Sequence, residues 1–145
     1  MKKSKILRIF LIISLLLLSA SLFSCKNQIS SEEAKGTTEQ FIATIEGENY
    51  LSAAELMHPD TKATSEYIEN FISTIEKDYS IDFSNGTDIK KYTVFSSATY
   101  DGTIGGGRYS LNFDIKIDSC DFSATVEIKR TDSGYGIYNV HFDKK

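Results

Sequence analysis

Leu111-Asn112-Phe113-Asp114-Ile115-Lys116-Ile117 alternates apolar and polar residues without a break, and Phe122-Ser123-Ala124-Thr125-Val126-Glu127-Ile128-Lys129 repeats the pattern after four intervening residues. A period of two held this long predicts two half-buried strands, each with one apolar face and one polar face. The joins, Ser119 to Asp121 and then Thr131 to Gly134, are short enough for hairpins. A last strand is expected over Tyr135 to Phe142, with Tyr138, Val140 and Phe142 on one face. An earlier one is expected from Ile89 to Tyr100; its inward face stays open, because Val94 and Phe95 point opposite ways. Between them, Gly102-Thr103-Ile104-Gly105-Gly106-Gly107 reads as a flexible hairpin loop. It lacks the Gly-Lys-Ser/Thr ending of a phosphate loop, and no helical pattern follows it.

An antiparallel meander with one apolar face needs a cover, and the residues upstream of Asn85-Gly86 have a helical period instead. Ser30 with Glu33 forms a capping-box pattern, and Ala34, Thr38, Phe41, Ile42 and Ile45 make one helical face that stops near Gly47. Asn49 can cap a short second helix carrying Leu51, Ala54 and Met57, which Pro59 ends. A third helix, capped by Asp60 or Thr61, carries Tyr67, Ile68, Phe71, Ile72 and Ile75. The expected fold class is α+β: N-terminal helices packed on a curved antiparallel sheet of about four strands.

This order, with Phe41-Ile42-Ala43, then Glu46-Gly47-Glu48-Asn49-Tyr50, then Ala53-Ala54-Glu55-Leu56-Met57-His58-Pro59, resembles the nuclear-transport-factor-2-like superfamily, whose cone-shaped domain is related in sheet curvature to cystatins. The resemblance spans most of residues 31 to 143 and implies fold rather than function. Enzymes of that superfamily, ketosteroid isomerases and dehydratases among them, place Asp, His or Tyr inside the cone. Here the inward positions of the two clearest strands are Leu, Phe, Ile, Ala and Val.

The chain opens with Lys2, Lys3, Lys5 and Arg8, followed by an apolar run from Ile9 to Phe23 broken only by serines. A positive region before an apolar one too short for a membrane span is the pattern of a secretion signal. It ends in Leu22-Phe23-Ser24-Cys25, which resembles a bacterial lipobox. That resemblance implies cleavage before Cys25, a lipidated Cys25, and residence in the bacterial cell envelope, on the outer side of the cytoplasmic membrane or sorted to the outer membrane. Lys26, where an aspartate would favour inner-membrane retention, leans toward the outer one. The expected parts are a leader at 1–24, a tether at 25–31 and a single α+β domain at 32–145.

Removal of the leader takes four of the 16 basic residues, leaving 12 against 20 acidic ones and a net charge of −8. With no basic stripe to neutralise phosphates, nucleic acid is not an expected partner. Cys120 is left without a partner if Cys25 is acylated, and its aspartate neighbours oppose a reactive thiolate. It is expected to be an inert thiol in the turn from Asp118 to Asp121.

Glu55, His58 and Asp60 cluster near Pro59, but a zinc site needs three or four converging ligands, so a solvated helix end is expected and no metal or cofactor is assigned. The candidate ligand-binding residues are Tyr67, Tyr92, Tyr138 and His141; with Tyr100 and Tyr109 these tyrosines could line an open cone mouth or simply edge the core. Three functions remain from the sequence. The first is a non-catalytic, membrane-tethered module binding an envelope protein or a small apolar ligand. The second is an isomerase- or dehydratase-type enzyme, for which His141 is the best candidate if the last strand's register shifts by one. The third is a homodimer formed through the outer sheet face, where Asp114, Lys116, Glu127 and Lys129 would make it salt-sensitive.

Overall fold

The computed structural model describes residues 27–145; the leader and Cys25 lie outside the described residues. The first helix, α1 (Ser31–Glu46), begins where the capping box predicts, with Ser30 Oγ accepting from the Glu33 amide at 3.1 Å. Its buried face is Ala34, Thr38, Phe41, Ile42 and Ile45, and the Gly47 amide closes it on the Ala43 carbonyl. Ile29, just before the cap, is also buried, so the packed domain reaches back into the expected tether. Asn49 Oδ1 accepts from the Ser52 amide and starts α2 (Tyr50–Glu55).

The third helix starts later than expected. Pro59, Asp60 and Thr61 form a single 3-10 turn capped by His58, and Lys62 takes a left-handed conformation at φ 51° that stops it. The chain restarts at Thr64, whose Oγ1 accepts from the Tyr67 amide, to make α3 (Ser65–Tyr79). Ile68 and Ile72 are its buried residues; Tyr67, expected on that stripe, is 60% exposed.

Four strands follow in a plain antiparallel meander, β1 (Thr87–Asp101), β2 (Gly106–Ile117), β3 (Cys120–Thr131) and β4 (Gly134–Lys144), in spatial order 1-2-3-4. The β2–β3 turn is only Asp118 and Ser119, so Cys120 is not in the turn but opens β3, paired with Ile117. Asp118 takes the positive φ, 55°, that so tight a hairpin demands. Along β2 and β3 the alternation holds throughout: Leu111, Phe113, Ile115, Ile117, Phe122, Ala124, Val126 and Ile128 are all 1% exposed or less. Burying each of the larger of these contributes about 1.5–3 kcal/mol. They meet Phe41, Ile42 and Ile45 of α1 and Ile68 and Ile72 of α3 in one core.

The last strand departs from strict alternation. Ile128 pairs with Ile137 but Glu127 pairs with Asn139, so Tyr138 is an extra residue in a bulge. Ile137 therefore takes the inward place with Val140 and Phe142, and Tyr138 does not share their face as expected. The outer edge of β4 is covered: the Ile137 amide donates to Leu56 O at 2.9 Å, and the His58 amide donates to Ile137 O at 2.7 Å. Gly136 permits this approach, because a Cβ there would lie 2.6 Å from the His58 nitrogen. The opposite edge, β1, pairs with β2 through three register irregularities.

Candidate functional site

A concave surface lined by both layers runs between α1 and β1. Glu39, Ala43 and Glu46 recur on α1 at helical spacing, three to four residues apart, and turn toward β1. Glu46 Oε2 accepts from the Thr87 amide at 3.0 Å and from its hydroxyl, tying the end of the helix to the start of the strand. The resulting groove encloses about 440 Å³, with Ile42 and Ile89 among its walls and Asp88, Lys90 and Lys91 along the strand side.

At its upper end sits a small aromatic constellation. Tyr92 Oη donates to Glu39 Oε1 at 2.9 Å. The Tyr92 ring stacks on Phe95 with centroids 6.0 Å apart and tilts against buried Phe113 at 5.5 Å. Lys35 Nζ lies 4.9 Å from the Tyr92 centroid and 5.1 Å from that of Phe95, within cation–π range of both. Burial, and then the hydrogen bond to Glu39, push the Tyr92 hydroxyl well above its ordinary value of 10.0. The phenol is thus a fixed neutral donor. The arrangement offers a planar apolar surface, a carboxylate and an ammonium side by side, which suits stacking and hydrogen-bonded recognition.

The candidate residues from the sequence are not brought together. Tyr92 belongs to this groove. Tyr67 lies on the lip of a separate apolar crevice of about 80 Å³ between Phe41, Met57, Ile68, Phe71 and Val140. Tyr138 lies on the other face of the sheet, its ring 3.1 Å from Lys129 Nζ and edge-on to His58 at 6.2 Å. Lys129 is 7% exposed, and the Tyr138 ring faces its ammonium. His141 is exposed and pairs with Asp143 at 2.9 Å. Its neighbours Val140 and Phe142 point inward, so the register that would have turned His141 into the core is not adopted. Tyr100 is 68% exposed while Tyr109 is buried. These tyrosines line no common mouth.

His58, expected at a solvated helix end, is 1% exposed. Its Nδ1 accepts from the Asp60 amide at 3.2 Å, so the ring proton sits on Nε2 and is donated to Thr131 Oγ1 at 3.1 Å. Among the described residues no three His, Cys, Asp or Glu side chains converge as a metal site would require. Cys120 is half-buried and borders a depression lined by Lys90, Lys144 and Lys145 together with Asp114 and Asp121, with Lys145 paired to Asp114 at 2.6 Å. Lys35, Glu39 and Phe95 were missed in the sequence; the only signal was Lys35 and Glu39 at a spacing of four on α1.

Among the described residues no helix is long and apolar enough to cross a membrane. No family model matches the chain, and no curated protein matches it. Among solved structures the chain is similar to an NTF2-like protein of unknown function from Cytophaga hutchinsonii ATCC 33406, at 17% identity and a TM-score of 0.38, over 81% of this chain and 94% of that one. A likeness at that TM-score carries no argument; the α+β assignment rests on three helices covering one face of a four-stranded antiparallel meander.

Proposed function

We propose that this chain is an envelope lipoprotein, anchored through lipid on Cys25, whose domain is a non-catalytic binding module of the nuclear-transport-factor-2-like kind that receives an extended segment of a protein partner in the α1–β1 groove. The anchor is supported by Leu22-Phe23-Ser24-Cys25 after the basic and apolar leader. Two or three acyl chains hold a domain stably where one holds it marginally. The observation that carries the binding reading is the Lys35–Tyr92–Phe95 stack with Glu39 at the head of a 440 Å³ open groove. Aromatic rings with polar tips are the residues most enriched where proteins bind partners.

A protein segment is favoured over a small apolar ligand because the groove is open and its walls carry Glu39, Glu46, Asp88, Lys90 and Lys91, whereas sites for such ligands are predominantly apolar. The crevice beside Tyr67, at about 80 Å³, is smaller than the roughly 300–1,000 Å³ they occupy.

The reading is tested by placing a photoreactive side chain at exposed Ala43, within the groove, or at exposed Ser73 on α3, and irradiating intact cells. A discrete adduct from position 43, lost on Tyr92→Ala and absent from position 73, is expected. Equal adducts from both positions, or none from 43, would contradict it.

A further inference from the structure

The two edges of the sheet are treated differently. On β4, residues Leu56 to His58 cover the edge, with Met57 bridging to Ile137. On β1, Thr93, Val94, Phe95, Ser96 and Ser97 are five consecutive exposed residues, although alternate ones face opposite sides of the sheet. Val94 is 54% exposed and Phe95 45%. Among the described residues β1 pairs with no strand but β2, and an edge of that kind with apolar side chains on both faces is a template for another strand.

The irregularities of β1 delimit where a strand could add. Register shifts fall between Tyr92 and Val94 and between Ala98 and Asp101, so Val94 to Ala98 is an undistorted window of five residues. Its midpoint is Ser96. We propose that this window is a self-association site, at which two copies of the chain pair β1 to β1 antiparallel about a two-fold axis at Ser96, joining their sheets edge to edge. The observations commit the site to a second copy because the window complements itself. About Ser96, Val94 falls opposite the partner's Ala98 and Phe95 opposite the partner's Ser97, large against small on each face.

Phe95 shares the inner face with Leu111, and Ser97 with buried Tyr109, so the two copies' Phe95 rings become diagonal neighbours there. Diagonal positions are about 7–8 Å apart, within reach of aromatic side chains. This is an isologous contact and closes at two copies. It uses the strand edge, not the polar outer face considered from the sequence. It does not require the lipid anchor, and it shares Phe95 with the stack at the head of the groove. A five-residue window buries less than the roughly 1,200 Å² of a stable interface, so the association is weak and depends on local concentration.

Disulfide trapping tests it in intact cells making the full chain in a Cys120→Ser background, with that parent as the blank. Two residues on the axis have Cα atoms about 4.5–5.5 Å apart, within disulfide reach. Two copies of position 94 or of position 98, offset by four residues, lie about 14 Å apart and are out of reach. Mild oxidation is expected to give Ser96→Cys at least about tenfold more covalent dimer than Val94→Cys or Ala98→Cys alone. Mixed Val94→Cys and Ala98→Cys chains are expected to cross-link to each other. Adding Phe95→Lys to Ser96→Cys removes the product. No dimer at position 96, equal trapping at all three positions, or a cross-link only to some other protein would overturn the proposal.

Discussion

His58 Nε2 lies 3.1 Å from Thr131 Oγ1, which in turn lies 2.7 Å from Ser133 Oγ, and this chain of polar contacts joins the α2–α3 connection to the β3–β4 hairpin. The ring is fully desolvated, so both nitrogens need their partners. His58→Ala removes two hydrogen bonds and leaves a cavity, while Thr131 keeps its contact with Ser133. The expected loss is about 2–4 kcal/mol, read as a lower urea midpoint with an unchanged slope.

Gly136 and Gly36 give opposite outcomes for the same added methyl. At Gly136 a Cβ would meet backbone atoms only, His58 N at 2.6 Å, Met57 C at 2.7 Å and Leu56 O at 2.8 Å, none of which can rotate away. Gly136→Ala is expected to cost about 1–3 kcal/mol by prising Leu56–His58 off the edge of β4. Gly36 has nothing within 4 Å and lies in the first turns of α1. Gly36→Ala is expected to stabilise by about 0.5–1 kcal/mol. Denaturation of the two variants beside the parent checks both signs.

Tyr92 makes alkaline stability a readout of the groove. Burial and Glu39 raise its pKa in the folded chain above 10.0, its ordinary value. A raised pKa means a contribution fully present below pH 10 and lost as pH climbs toward the folded value. Burial also raises Tyr50 and Tyr135. In ultraviolet titration Tyr92 is expected to ionise in the last step, after Tyr50 and Tyr135. Tyr92→Phe is expected to delete that final step, flatten the loss of stability above pH 10, and cost about 1 kcal/mol or less at neutral pH.

Periodicity told most where it was simplest. The strict alternation from Leu111 to Lys129 yields β2, β3 and their faces, and the Ser30 cap with its apolar stripe yields α1, because one side chain after another obeys a single geometric rule. Legibility failed where backbone conformation broke that rule. Tyr138 was misplaced because a one-residue bulge reverses facing beyond it, and nothing in Tyr-Gly-Ile-Tyr-Asn announces a bulge. The start of α3 was misplaced because Lys62, not a glycine, takes the left-handed turn. His58 was assigned to solvent because its burial depends on Thr131, 73 residues away. The groove was only half legible: Tyr92 stood out as an aromatic, whereas Lys35 and Glu39 look like any exposed helical pair until β1 passes beneath them.

The most direct test of the central claim, a domain carried on lipid at Cys25, is the intact mass of the protein extracted from membranes, with wild type beside Cys25→Ser. The account predicts a mass equal to residues 25–145 plus two or three acyl chains, and loss of that species in the mutant. A full-length mass, or a cleaved but unmodified chain in the soluble fraction, would contradict it.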